Sequence, residues 1–156
     1  MGRIVIFTGE GHGKSPAAIG EALTRAAVGD KVVIIQFLKG KGLTDSELLN
    51  RLEPELRIFR FEKSDVNFTE LSDEKKQEEI INIKNGLNFA RKVLTTGGCD
   101  LLVLDELLGI VDNGILTVDE VRELLNVRPE SMDIILTGIK IDPAIAKLAD
   151  AISTIS

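Results

Sequence analysis

Along the chain, short unbroken apolar runs alternate with longer stretches in which apolar residues recur every three or four positions. Unbroken runs suit parallel strands buried on both faces, and the longer period is that of helices packed across them. The runs predict strands over 3–8, 31–36, 56–61, 100–104, 133–137 and 151–153. A first helix is expected from Ser15 or Pro16 to about Val28, with Pro16 tolerated in the opening turn because its missing N–H is not needed there. Thr44 and Thr117 each precede a glutamate three residues on, Glu47 and Glu120, the pattern of a capping box. Asp142 and Pro143 fit the N-cap and first position of a last helix. The longest helix is expected over 72–95, with Ile80, Ile83 or Lys84, Leu87, Ala90 or Arg91, and Leu94 on one stripe and the charged run 73–79 as a solvated face. The fold class is therefore α/β, a mostly parallel sheet with helices on both faces. No repeat or Pro/Ser-rich linker divides the sequence, so residues 1–156 are expected to form one domain.

Composition narrows the partners. With 25 acidic against 19 basic residues and a formal charge of −6, the chain lacks the basic footprint of a nucleic-acid binder, so no nucleic-acid partner is expected. Cys99 is the only cysteine, which leaves no disulfide framework or multi-cysteine zinc site within one chain. No apolar run approaches the roughly 20 residues of a membrane span, and the N-terminus has no signal-type segment. No membrane association is expected, and the cytoplasm is the expected compartment.

The chemistry concentrates where the first strand meets the first helix. There Thr8, Gly9, Glu10, Gly11, His12, Gly13, Lys14, Ser15 and Pro16 follow Ile4-Val5-Ile6-Phe7. A strand, a glycine-rich turn and a helix start bring backbone N–H groups toward phosphate, with a lysine for the anionic oxygens and a hydroxyl for Mg2+. The expected ligand is a nucleoside triphosphate. Thr8 stands where the strict P-loop has its first glycine, and a plain glycine-rich turn is the competing reading. A second element, Leu101-Leu102-Val103-Leu104-Asp105-Glu106, is an apolar strand ending in two carboxylates. Ligands of parallel sheets sit beyond the carboxyl ends of strands, so Asp105 or Glu106 can join Ser15 at Mg2+. The competing reading is a helix N-terminus, where acids complement the dipole.

Taken together, several blocks resemble the ATP:corrinoid adenosyltransferases (cob(I)alamin adenosyltransferases) of the CobA/CobO/BtuR type. They are Thr8-Gly9-x-Gly11-x-Gly13-Lys14-Ser15, Val33-Ile34-Ile35-Gln36-Phe37-Leu38-Lys39-Gly40, Leu104-Asp105-Glu106, Arg128-Pro129, and Leu136-Thr137-Gly138 with Ala149-Asp150. That family also has Thr at the first P-loop position. The resemblance implies a RecA-like P-loop fold that transfers the 5′-deoxyadenosyl group of ATP to the Co(I) centre of a corrinoid, cob(I)alamin or cobyrinic acid a,c-diamide, releasing triphosphate. Gly11, Gly13, Lys14, Ser15 and Mg2+ would stabilise charge on the leaving group. Lys14, Glu106 and Phe68 are then the catalytic candidates, with Phe68 shielding the lower face of cobalt. A homodimer and a flavoprotein reductant are further implications.

The sequence departs from the family pattern mainly on the corrinoid side. Asn67-Phe68-Thr69-Glu70 keeps one aromatic of a Phe/Trp pair, Leu108-Gly109 replaces an aromatic after the acid pair, and Thr137-Gly138-Ile139 replaces Thr-Gly-Arg, leaving Lys140 nearby. Ser15-Pro16 replaces Thr-Thr, and His12 replaces a common Lys and reads as a tolerated substituent. The chain begins almost at its first strand, without the N-terminal extension that covers the site in many members. Lys39-Gly40-Lys41-Gly42 is a candidate cover and equally a solvated connector. The competing functions are a P-loop NTPase or kinase, and an ATP-binding protein without corrinoid chemistry.

Overall fold

The structure, a computed structural model, describes residues 2–11, 13–38, 50–61, 66 and 68–156. Among the described residues six strands form one sheet in the order β3-β2-β4-β5-β1-β6, and every pairing is parallel. They are β1 (Ile4–Thr8), β2 (Val32–Gln36), β3 (Leu56–Arg60), β4 (Leu101–Asp105), β5 (Asp133–Gly138) and β6 (Ala151–Thr154). The helices are α1 (Lys14–Ala27), α2 (Asp73–Thr96), α3 (Leu107–Asp112), α4 (Val118–Asn126) and α5 (Pro143–Ala146), with a 3-10 turn at Phe68–Glu70. The class is the expected α/β. No described helix is long and apolar enough to cross a membrane.

The unbroken apolar runs of β2 and β4 are explained by burial of every residue in both strands. Alternate side chains enter two cores. Val33, Ile35, Leu102, Leu104, Ile134 and Leu136 pack with α2 and α4 residues such as Ile83, Leu94 and Val121. Val32, Ile34, Leu101, Val103 and Ile135 pack on the other face with Ala18 and Ala22 of α1. Alanines on that face of α1 let the helix approach the sheet closely, which fixes the direction in which its N-terminus points.

The caps at Thr117 and Asp142 fall where the sequence put them, and a third stands at Ser72, the expected start of the longest helix. Ser72 accepts the Lys75 N–H at the start of α2, Thr117 and Glu120 form a reciprocal capping box, and Asp142 accepts the Ala144 N–H with Pro143 behind it. Thr44 and Glu47 lie outside the described residues. One expectation needs correction, and one pair of alternatives is resolved. The solvated face assigned to 73–79 does not hold at Glu79, which is 4% exposed because it lies one turn before Ile83 on the stripe Glu79-Ile83-Gly86-Ala90-Val93. Along the same helix Lys84 and Arg91 are exposed, so of the paired alternatives Ile83 and Ala90 face the core.

Candidate active site

Parallel register brings the ends of all strands to one edge. Thr8 pairs with Gly138 and Thr154, and Gln36 pairs with Arg60 and Asp105, so polar residues replace apolar ones in a row where the sheet stops. Gly9 turns the chain out of β1 with φ 121°, a conformation that a side chain would strain, and a Cβ there would lie 2.2 Å from the Ile155 carbonyl oxygen. The Gly9 N–H donates to the Ile139 carbonyl at 3.2 Å and the Gly11 N–H to the Ile155 carbonyl at 3.1 Å. Gly11 therefore directs its amide to the chain after β6 rather than into the loop. Thr8, 6% exposed, donates its hydroxyl to the Ile139 carbonyl.

Lys14 and Ser15 are buried at the first turn of α1. The Lys14 ammonium donates to the Gly11 carbonyl at 2.8 Å and so spans the loop. Among the described residues no side chain caps α1 at Gly13, and such a start on a 14-residue helix favours an anion. Glu10 and Pro16 flank this turn, and His12 lies outside the described residues.

Asp105, 1% exposed, is the hub of the site. Its Oδ1 accepts from Ser15 Oγ at 2.9 Å and from Thr137 Oγ1 at 2.6 Å, while Gln36 Nε2 donates to Oδ2 at 3.3 Å. Thr137 Oγ1 in turn accepts the Glu106 N–H at 2.8 Å. Three strands thus orient one carboxylate toward the helix hydroxyl. Neither Thr137 nor Gln36 is expected in the site from the sequence alone. The usable signal was a polar residue ending an apolar strand next to the acidic one.

The two acids part company. Glu106 has φ 67° at the N-cap of α3, and that left-handed backbone turns the chain sharply after Asp105. Its side chain lines a cavity of about 280 Å3 with Phe68, Leu38, Asp112, Ile139 and Lys140. Phe68 is half-buried and belongs to neither hydrophobic core cluster. Gly138 lets β5 end against α3, since a Cβ there would stand 2.3 Å from Leu108 Cβ. Lys39-Gly40-Lys41-Gly42 and Asn67 lie outside the described residues.

The donor set around Asp105 suits a hard cation such as Mg2+, which binds a few protein oxygens and keeps several waters. No group of three or more His, Cys, Asp or Glu side chains forms a metal cage among the described residues. Beside the Ser15–Asp105 pair, Gln36 Oε1 is buried without a partner among the described residues and offers an acceptor for a metal-bound water. Cys99, 68 residues beyond Lys31 in sequence and buried at the opposite end of β4, takes no part; burial pushes its thiol pKa up to about 12.

Residues 1–156 match the family described as ATP:corrinoid adenosyltransferase BtuR/CobO/CobP. The chain is similar to the corrinoid adenosyltransferase of Escherichia coli K12, 32% identical over 152 residues that cover 97% of this chain and 75% of that one. Identity and coverage are the same for the corrinoid adenosyltransferase CobA of Salmonella typhimurium LT2. For the corrinoid adenosyltransferase of Pseudomonas aeruginosa PAO1 they are 30% over 156 residues, 99% of this chain and 75% of that one. A match over the whole length, together with relatives 30–32% identical over nearly all of it, places the chain in the ATP:corrinoid adenosyltransferase family.

Proposed function

We propose that this protein transfers the 5′-deoxyadenosyl group of ATP to the Co(I) centre of a reduced corrinoid. One observation carries the reading beyond family membership: consecutive residues of one strand end serve two compartments, Asp105 joined to the P-loop Ser15 and Glu106 lining the Phe68 cavity. Two substrates can therefore meet across a single peptide unit.

In the transfer, the filled cobalt orbital attacks C5′ of ATP, the Co–C bond forms, and the C5′–O bond breaks with its electron pair leaving on triphosphate. Cobalt passes formally from Co(I) to Co(III), and no proton has to be removed from the nucleophile. The demand on the protein is to hold the leaving group, and Lys14 with the start of α1 supplies positive potential where that charge collects. Ser15 and, through water, Asp105 and Gln36 would hold Mg2+, which supplies further charge neutralisation to the triphosphate. Phe68 offers an apolar ring without a ligand atom, suited to excluding water from the lower face of cobalt. Glu106, which lines the Phe68 cavity, is assigned in this reading to the corrinoid side.

The same proposal takes residues 1–156 as a single P-loop nucleotide-binding domain, supported by the one continuous sheet. It includes a homodimer in the cytoplasm. Co(I) needs an electron from outside, since the sole cysteine is buried and offers no dithiol, and a flavoprotein is the proposed donor. The test is product analysis with Mg-ATP and chemically pre-reduced corrinoid. Adenosylcorrinoid and triphosphate in equal amounts are expected; ADP with phosphate would sink the proposal.

A further inference from the structure

A groove leads out of the Phe68 cavity along α2. That cavity shares Phe68 and Asn113 with a depression of about 650 Å3, which shares Lys84 and Ile115 with a third of about 310 Å3. One wall is the face of α2 carrying Lys76, Ile80, Lys84, Leu87 and Arg91. The other is the turn between α3 and α4, from Asn113 to Leu116. Lys76 and Arg91 are 15 residues apart, roughly 22 Å along a helix, so the groove extends well past the cavity itself.

Its charge opposes that of the molecule. The chain carries a net −6, yet Lys76, Lys84 and Arg91 line this one groove. Lys76 Nζ stands 5.8 Å from the Phe68 ring centroid, which ties the start of the stripe to the cavity. Lys84 and Arg91 are exposed and make no ion pair among the described residues. Of the acids along the walls, Asp73 sits in the first turn of α2, and Glu120 turns its Oε1 to the Thr117 N–H in the capping box. Half-buried Ile80, Leu87 and Ile115 supply an apolar floor between the cations. A long, partly apolar ligand with anionic groups away from its reacting centre matches that surface.

A corrinoid can be such a ligand. Its macrocycle bears acetate and propionate arms that are either free carboxylates or neutral amides, and the complete form adds a phosphodiester in its nucleotide tail. Resting on the transfer reading above, we infer that the groove seats an anionic group of the corrinoid periphery, carboxylate or phosphodiester, against Lys84 and Arg91. The protein thereby selects charged corrinoids over amidated ones that lack the tail.

The experiment compares three pre-reduced corrinoids in adenosylation: cobyrinic acid a,c-diamide with free carboxylates, cobalamin with the phosphodiester, and cobinamide with neither. Equilibrium dialysis of the unreduced forms, followed by their visible spectra, reads binding without turnover. Expected for the wild type is a KM about five- to tenfold lower for at least one charged corrinoid than for cobinamide, a preference that fades as salt is raised. The carboxylate and phosphodiester arms show which anion is used. In Lys84→Gln/Arg91→Gln the preference disappears while kcat on cobinamide stays the same, and Lys92→Gln, exposed but off the groove, keeps it. Equal KM for all three corrinoids, or a preference that survives the double variant, overturns the groove and leaves adenosyl transfer standing. Selective binding without adenosylation supports the groove and overturns the transfer reading, whereas failure to bind any corrinoid overturns both.

Discussion

Lys14 is only 7% exposed, and one carbonyl, that of Gly11, holds its ammonium across the loop. A phosphate oxygen offers that ammonium a charged acceptor in place of a neutral one, so binding strengthens a contact already in position. Lys14→Ala is expected to weaken Mg-ATP binding roughly ten- to a hundredfold, the equivalent of a charge-assisted contact of about 1.5 to 3 kcal/mol. Calorimetry giving an unchanged affinity would remove the P-loop assignment. Asp105 and Glu106 should separate just as clearly. Asp105→Asn puts an amide N–H2 among the Ser15, Thr137 and Gln36 donors and leaves one of them unsatisfied; ATP affinity at limiting Mg2+ and stability should both fall, the latter by about 1–3 kcal/mol. Glu106→Gln changes a side chain that faces the other cavity, so ATP affinity should stay within about twofold while corrinoid turnover falls. If the two variants behave alike in both assays, the division between compartments is wrong.

The strands were legible because each is short, apolar and bounded, and their observed limits differ from the expected ones by no more than one residue at either end. The caps at Thr117 and Asp142 were legible for a local reason, since a cap is set by residues within one turn. The helix α3 was not. Leu107–Asp112 is six residues, mostly apolar and with Leu107, Leu108 and Ile110 buried, too short for a polar face to mark a helical period, and only Glu106 in a left-handed conformation separates it from β4. Register within α2 was blurred by Ile80 and Leu87, which are half-buried because they floor a groove rather than face the sheet. The 3-10 turn at Phe68–Glu70 is too short for any periodicity, and Phe68 could be placed only by tertiary geometry. Since that turn sets the ring beside Glu106 without burying it in a core, Phe68→Ala should fold and bind ATP normally. It should slow adenosylation of Co(II) corrinoid with a mild reductant, and supplying pre-reduced Co(I) should restore part of the rate. Adenosylation of Co(II) corrinoid at the wild-type rate would exclude a role for the ring at cobalt.

Across the molecule, the two ends of the sheet do different work. The end opposite the site carries Cys99, whose thiol is driven up to about 12 by burial. In the unfolded chain the same thiol ionises near 8.5, so its contribution to stability is complete below that pH and is lost as pH rises toward the folded value. Urea midpoints should therefore drop between pH 8 and pH 10 by more in the wild type than in Cys99→Ala, and parallel curves would contradict the burial. At the functional end, the Ile155 N–H donates to the Thr8 carbonyl and the Ile155 carbonyl accepts from Gly11, while among the described residues β6 pairs with β1 alone. Edge strands open most readily, and a loop stitched to one shares its opening and closing. Nucleotide that holds the loop must then, by reciprocity, hold the strand. Saturating Mg-ATP should slow amide hydrogen exchange along Ala151–Thr154 and at Ile155, and exchange indifferent to nucleotide would show that strand and loop open independently. Through this link the grip on triphosphate is set partly by a strand that touches no phosphate, so a partner pairing with the open edge of β6 would tighten ATP binding from outside the pocket.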